Sequence, residues 1–382
     1  MSASGAPGGS VTPVSEFDYP LPESAIAQVP AEPRDAARML VDRGPGRAPE
    51  DRGVRDLPGF LESGDVLVVN DTRVLPARIE AHKATGGAVE VLLLEREPAG
   101  TWQALVRPGR RVAPGTVVTA GDLAIDVGED VGDGVRRVRL RQGAGTASAV
   151  RGAERPEPSP SPRGGSSEGR PDQDLVELAA LDDEGEVPLP PYVHTALDDP
   201  ERYQTIYART PGSVAAPTAG LHLTDRVLDA CRARGARIET VDLKVGLGTF
   251  RPLATEVVED HRMHEESYSV APEVLDACHR ARAHDRRVVA VGTTTLRALA
   301  AAAATGCTEG RTDIYIHGNH PFGLVDGLVT NFHVPRSSLL VLVDAFVGPR
   351  WHALYDHALA EGYRFLSFGD CCLLDRRWGR AA

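Results

Sequence analysis

Lysine is almost missing from this chain: of its 42 basic residues only Lys83 and Lys244 are not arginine. A lysine differs from an arginine in being a compact point charge with an adjustable pKa, so the two that survive are candidates for a contact or chemical role. Cysteine is also sparse. Cys231, Cys278, Cys307, Cys371 and Cys372 include no Cys-x-x-Cys spacing, and the last two are adjacent. A disulfide framework and a thiolate zinc site are both disfavoured, and reduced, structural thiols are expected. Long apolar runs are missing too: Asp65-Val-Leu-Val-Val69 and Ser338-Leu-Leu-Val-Leu-Val343 fall far short of the roughly 20 residues that span a bilayer. The N-terminus has no basic-then-apolar leader pattern, so a soluble cytoplasmic protein is expected. No Gly-x-Gly-x-x-Gly, Walker A, His-Glu-x-x-His or Gly-x-Ser-x-Gly string occurs in its required context, which removes the main support for the common nucleotide, metalloprotease and hydrolase readings.

What is present is enough chain for two buried cores, 382 residues, and a net charge of −12. Such a charge weighs against a polyanionic partner. Its distribution softens the objection, because Glu154 to Glu186 holds ten acids against three arginines and alone supplies −7. The remaining body is mildly acidic and can present one basic face.

Hydrophobic patterning predicts an α/β (α+β-like) body interrupted by a small antiparallel β-barrel. Residues 1 to 15, rich in Gly, Ser and Pro, read as a disordered tail. The body takes 16 to 76 and 187 to 382, and the insertion 77 to 186. Asp65-Val-Leu-Val-Val-Asn70 is a buried-strand run, and Arg43 to Arg52 reads as a loop. Between Ala77 and Arg141, short alternating strands carry the Arg107-Pro-Gly-Arg-Arg111 turn between two of them. Residues 143 to 175 lack the apolar content to order themselves. Thr224 reads as the N-cap of a helix closed by Gly235, followed by a strand from Ile238 to Val245. Arg286 to Gly292 reads as a strand feeding a Thr-rich helix start, and Tyr363-Arg-Phe-Leu-Ser-Phe368 as a strand.

Five islands join an apolar run to a Gly, Thr or Asn turn, four of them bearing charge or imidazole: Val69-Asn-Asp-Thr-Arg73, Ala215-Ala-Pro-Thr-Ala-Gly-Leu-His222, Val245-Gly-Leu-Gly-Thr-Phe250, Val291-Gly-Thr-Thr-Thr-Leu-Arg297 and Leu328-Val-Thr-Asn-Phe-His333. Active sites at sheet edges are built this way. His222 can transfer a proton near neutral pH, and backbone amides around Gly220 could face an anion. Thr293 and Thr294 suit a helix N-terminus that binds a carboxylate or phosphate. Asn331 and His333 could grip a ribose or a base. His264 with Glu265 or Glu266 is a candidate acid–base pair, while His261 and His264 lack the third ligand that a metal needs. No metal is expected. Asp71 could equally be a turn-capping acid.

In this order the islands resemble the S-adenosylmethionine:tRNA ribosyltransferase-isomerase family of queuosine biosynthesis, across about 17 to 374 apart from 143 to 175. The resemblance implies ribosyl transfer from S-adenosylmethionine to 7-aminomethyl-7-deazaguanine in a GUN anticodon of tRNA. Adenine and methionine leave, epoxyqueuosine forms, and no cofactor beyond the co-substrate S-adenosylmethionine is used. It places Asn70, Asp71 and Arg73 at a domain junction and Asp370 near the site. With the turn residues Thr218, Gly220, Gly246, Gly248 and Thr249, and with Arg297, these complete the expected binding and catalytic set, in an expected monomer.

The chain departs from the family pattern in three places. Lys244 stands where a His commonly precedes Val-Gly-Leu-Gly-Thr-Phe, and a protonated ammonium there suits anion contact over proton shuttling. Ile316-His-Gly-Asn-His-Pro-Phe322 and Gly369-Asp-Cys-Cys-Leu373 also differ. A paralogue with a small acceptor, or a non-catalytic RNA-binding protein, stays open. Against the latter, Trp102 is the only aromatic between Ala77 and Arg141.

Overall fold

The computed structural model describes residues 11–97, 99–132, 134–142, 171–246 and 252–378. The chain forms two compact units, Met1–Val74 with Leu189–Ala382, and Leu75–Pro188. The first opens with β1 (Arg38–Val41), β2 (Glu50–Gly53), β3 (Val66–Asn70) and β4 (Thr72–Val74). The second supplies β5 (Arg78–Lys83), β6 (Ala88–Arg96), β7 (Trp102–Arg107), β8 (Thr116–Ala120), β9 (Leu123–Gly132), β10 (Val135–Gln142), α1 (Pro171–Glu184) and β11 (Gly185–Glu186). The first unit then resumes with β12 (Thr210–Ser213), α2 (Asp225–Ala233), β13 (Arg237–Leu243), β14 (Glu266–Ser269), α3 (Pro272–Ala283) and β15 (Val288–Val291). It ends with α4 (Thr293–Thr305), β16 (Glu309–Thr312), β17 (Gly327–Asn331), α5 (Ser338–Val347), α6 (Arg350–Ala360) and β18 (Cys371–Asp375).

Nine strands of the first unit lie in the order β16-β14-β13-β3-β15-β17-β18-β1-β2. The central four, β13, β3, β15 and β17, are mutually parallel. Both faces of such a sheet are covered, so the central strands β3 and β15 are buried at every position and alternate residues feed two cores. Val66, Val68, Val288 and Ala290 join one core with α4, α5 and α6. Leu67, Val69, Val289 and Val291 join the other, with Val227 and Cys231 of α2. The α/β expectation for this part of the chain is met.

In the second unit the strand order is β11-β5-β6-β7-β10-β9-β8, with every pairing antiparallel. The end strand β8 also pairs with β5, through His82↔Thr119 and Lys83↔Val118. Val89, Val91 and Leu93 alternate inward from β6, as Trp102, Ala104 and Val106 do from β7.

Four expectations need correction. Order begins before residue 15: the Thr12 hydroxyl donates to Glu259 at 2.8 Å and Val14 is buried. Glu50–Gly53 is a strand on β1, because β1 has a free edge for it to pair with. The supposed disorder of 143 to 175 does not extend to its end, since α1 starts at Pro171, while 143–170 lie outside the described residues. A few apolar side chains at helical spacing, among them the buried Leu181, were masked by the surrounding acids. Finally, Tyr363 to Phe368 is no strand: Leu366 has φ 69, and only Phe365 bridges, to Ile26. The strand is β18, which starts three residues after Phe368.

At the amino edge of the sheet, Arg287 ties three strands together. Its Nη2 lies 2.7 Å from Asp65 Oδ2 and its Nη1 3.0 Å from Asp375 Oδ2. Both carboxylates are buried, so removing the cation leaves two uncompensated charges. Arg287→Met is expected to destabilise the first unit by about 3–5 kcal/mol, read from urea denaturation. A loss below about 1 kcal/mol, the size of a surface pair, would show that the cluster is not structural.

Candidate active site

Parallel strands leave their carboxyl ends on one edge, where neighbouring crossovers part and open a crevice. Here β3 ends at Asn70, β15 at Val291 and β17 at Asn331. A recess of about 540 Å³, counting its mouth, is lined there by Val245, Thr293, Thr294, Thr330, Asn331 and His333, with Pro217, Thr218, Tyr192 and Ser367 from surrounding loops. Strand ends that stay buried must satisfy backbone groups that have lost their ladder partners. Asn70 does so for β13: its Oδ1 accepts from Leu243 N (3.2 Å) and Thr72 N (3.1 Å), and its Nδ2 donates to Leu243 O (3.0 Å) and Thr294 Oγ1 (3.2 Å).

Asn331 plays the equivalent part on β17. Its Nδ2 faces Leu366 O at 3.1 Å and Asp370 O at 3.4 Å, and its Oδ1 accepts from Thr218 Oγ1 at 2.9 Å. Two carbonyl acceptors fix Nδ2 as the donor, so His222 Nε2, 3.2 Å away, must accept. The proton of this imidazole therefore sits on Nδ1. Burial, with Arg364 and Arg34 nearby, lowers the His222 pKa to about 4. His333 is buried as well, its pKa lowered to about 3 by desolvation. Its Nε2 meets Thr330 Oγ1 at 2.9 Å, its N–H donates to Tyr355 Oη at 3.1 Å, and its carbonyl accepts from Tyr19. Both imidazoles are neutral at physiological pH.

Helix α4 begins at the recess without a side-chain cap on Gly292. The Thr293, Thr294 and Thr295 amides precede the first intrahelical bond, Leu296 N to Gly292 O, and present the positive end of the helix dipole. Arg297, one turn in, faces away into a buried pair with Glu266, whose other oxygen accepts from Gly246 N at 3.2 Å. Lys244 lies over Gly212: a Cβ there would come within 2.9 Å of the lysine Cε. Asp71 and Asp242, side by side beyond the last paired residues of β3 and β13, both have carboxyl pKa values raised by burial, Asp71 opposed by Arg209 and Asp242 by Lys244.

Other expected residues have different surroundings. Asp370 uses both oxygens on backbone amides, of Arg38 and Arg364, each at 2.8 Å. His264 and Glu265 are exposed, Glu265 pairs with Arg311, and neither lines the recess. Arg73 pairs with Glu201. Gly220 gives room to Tyr207, whose hydroxyl would lie 2.2 Å from a Cβ. Its amide already bonds Pro217 O, so the expected anion-facing amides around it are not free. Gly248 and Thr249 lie outside the described residues. Sequence reasoning missed Tyr192 and Ser367, whose hydroxyls meet at 2.7 Å in the recess wall. The only local signal was the proline-dense Pro188-Leu-Pro-Pro-Tyr192.

The lowered histidine pKa values have a stability consequence whose sign is definite. The folded state refuses protons that the unfolded chain accepts below the ordinary value of 6.5, so stability is lost as pH falls from about 6.5 to 4. His333→Gln is expected to unfold at pH 5 with about one proton fewer taken up than the wild type, read from the pH dependence of the denaturation midpoint. Identical slopes would place a charged imidazole in the fold.

Comparison with known proteins shows the family to which the chain belongs. The family described as Queuosine biosynthesis protein matches residues 14–374. The S-adenosylmethionine:tRNA ribosyltransferase-isomerase of Moorella thermoacetica is 46% identical over 367 residues, covering 94% of this chain and 99% of that protein. The enzyme of the same name from Anaeromyxobacter dehalogenans is 46% identical over 376 residues, covering 95% and 99%. Among solved structures, the S-adenosylmethionine tRNA ribosyltransferase of Thermotoga maritima is similar, with TM-score 0.50, 33% identity, and coverage of 94% of this chain and 99% of that one. The chain belongs to the queuosine biosynthesis protein family.

Proposed function

We propose that this chain moves the ribosyl part of S-adenosylmethionine onto 7-aminomethyl-7-deazaguanine in a GUN anticodon of tRNA and isomerises it to the epoxy-cyclopentane of epoxyqueuosine. The observation that carries the reading is the meeting, at one sheet edge, of an uncapped helix start with a neutral imidazole. The amides at the start of α4 offer a site for the methionine carboxylate. The sulfonium acidifies the ribose 5′ hydrogens, one is removed by a base, adenine leaves with a proton, the acceptor amine attacks and methionine departs. His333, neutral and with Nε2 on Thr330, takes or gives the proton in this reading. His222 acts through Asn331, holding its carboxamide in place. The chemistry asks for proton transfer and fixed dipoles, supplied by the residues lining the recess.

The finer architecture is part of the same proposal. Leu75–Pro188 forms an inserted antiparallel barrel, the reading favoured by the β5 to β8 pairing, and the protein works as a cytoplasmic monomer. Lys244 serves an anion, the methionine carboxylate or an RNA phosphate, as suits an ammonium whose side chain lies over Gly212 just before the Gly246 turn.

Incubation with S-adenosylmethionine and tRNA carrying the deazaguanine should release adenine and methionine in equal amounts, with no S-adenosylhomocysteine. Methyl transfer as the main outcome would end the assignment. Lys244→Ala is expected to raise KM several-fold and spare kcat. Loss of the chemical step at saturation, with both substrates still bound, would make the lysine a proton-transfer group.

A further inference from the structure

The second unit gathers positive charge that the reaction above does not use. Its turn Arg107-Pro-Gly-Arg-Arg111, between β7 and β8, exposes Arg107, Arg110 and Arg111. Two further cations hold the turn from below. Lys83 donates to Arg111 O, and Arg136 Nη2 donates to Gly109 O at 3.1 Å. Five cations therefore meet on one short turn of a chain whose net charge is −12. One carboxylate offsets them weakly: Glu90 is 3.9 Å from Arg107 and is shared with Arg78 at 4.0 Å. Three other arginines of this unit have close acids, Arg96 on Glu177, Arg137 on Glu97 and Arg141 on Asp126. Among the described residues, no carboxylate lies within ion-pair distance of Arg110 or Arg111, and the buried Arg136 Nη1 has no partner.

Like charges collected without acids repel, so such a turn is stabilised by an anion. The cations are spread along a turn and do not converge on a pocket, which fits a chain of phosphates better than a single one. Guanidinium forks match phosphate oxygens two at a time. The unit's only tryptophan between Ala77 and Arg141, Trp102, is buried, so base stacking is not on offer here and the contact is with backbone.

We propose that the Arg107–Arg111 turn, with Lys83 and Arg136, is a phosphate-contacting surface for the tRNA, gripping it independently of sequence. This rests on the tRNA reading of function and adds where the bulk of that polyanion is held.

The test is tRNA binding by fluorescence anisotropy across a salt series, without S-adenosylmethionine, for wild type, Arg110→Glu, Arg111→Glu and the control Arg280→Glu. Arg280 is exposed on α3 of the other unit, and its reversal changes net charge equally. Each turn variant is expected to keep its melting temperature, to weaken tRNA binding by about tenfold and to flatten the log–log salt slope by about one unit. In turnover, KM for tRNA should rise while kcat and KM for S-adenosylmethionine stay. Unchanged affinity and slope in both turn variants would overturn the proposal, as would an equal loss in Arg280→Glu. Because binding is read without turnover, it decides this proposal even if the wild type releases no adenine, a result that would sink the functional reading alone.

Discussion

Buried strand ends must find partners for backbone groups that the sheet no longer pairs, and the site depends on how that need is met. Two asparagines do most of it. Asn70 takes both polar groups of Leu243, and Asn331 takes the carbonyls of Leu366 and Asp370. A carboxamide offers donor and acceptor at once, and at these positions no aliphatic or acidic side chain of that length could replace it. Each asparagine also meets a functional neighbour, Thr294 at the Nδ2 of one and Thr218 at the Oδ1 of the other, whose two Nδ2 protons are shared among both carbonyls and His222. The recess walls are fixed as a by-product of backbone accounting. Asp370 belongs to the same scheme, with its two oxygens on Arg38 N and Arg364 N.

Burial also decides which chemistry the imidazoles offer. Desolvation keeps His222 and His333 uncharged, so the sheet edge carries dipoles, hydroxyls and neutral rings close to the α4 start. A cationic substrate such as a sulfonium meets no competing positive imidazole there. The charged groups of this edge stand slightly apart: Arg297 is neutralised by Glu266, and Lys244 is held over Gly212.

Much of the body was legible because its signals are local. The Val66–Asn70 run, the Thr224 cap on Val227 N and the threonine start of α4 each follow from propensity or capping over a few residues. What failed was long-range. Asp370 reads as a free loop acid, yet it answers amides six and 332 positions away. Arg297 reads as a site cation, yet its charge is spent on Glu266, 31 positions upstream. Glu265, one residue from that buried carboxylate, is exposed because neighbouring positions on an extended segment point to opposite faces, and His264, also exposed, lies before the strand begins. Tyr363 to Phe368 has strand composition, but Leu366 at φ 69 folds back to meet Asn331. A sequence window contains no trace of such partners.

Where the chain leaves the first unit and where it comes back, β4 and β12 lie parallel, Thr72 beside Thr210. Gln204 clasps Val74 through two hydrogen bonds, 3.0 Å to its N–H and 2.9 Å to its carbonyl. Exit and return are thereby anchored inside the first unit, and the cost of closing whatever lies between grows only slowly with its length. The positions at which the chain leaves and re-enters the first unit are thus held by contacts of the first unit itself, whatever the length of 75–188.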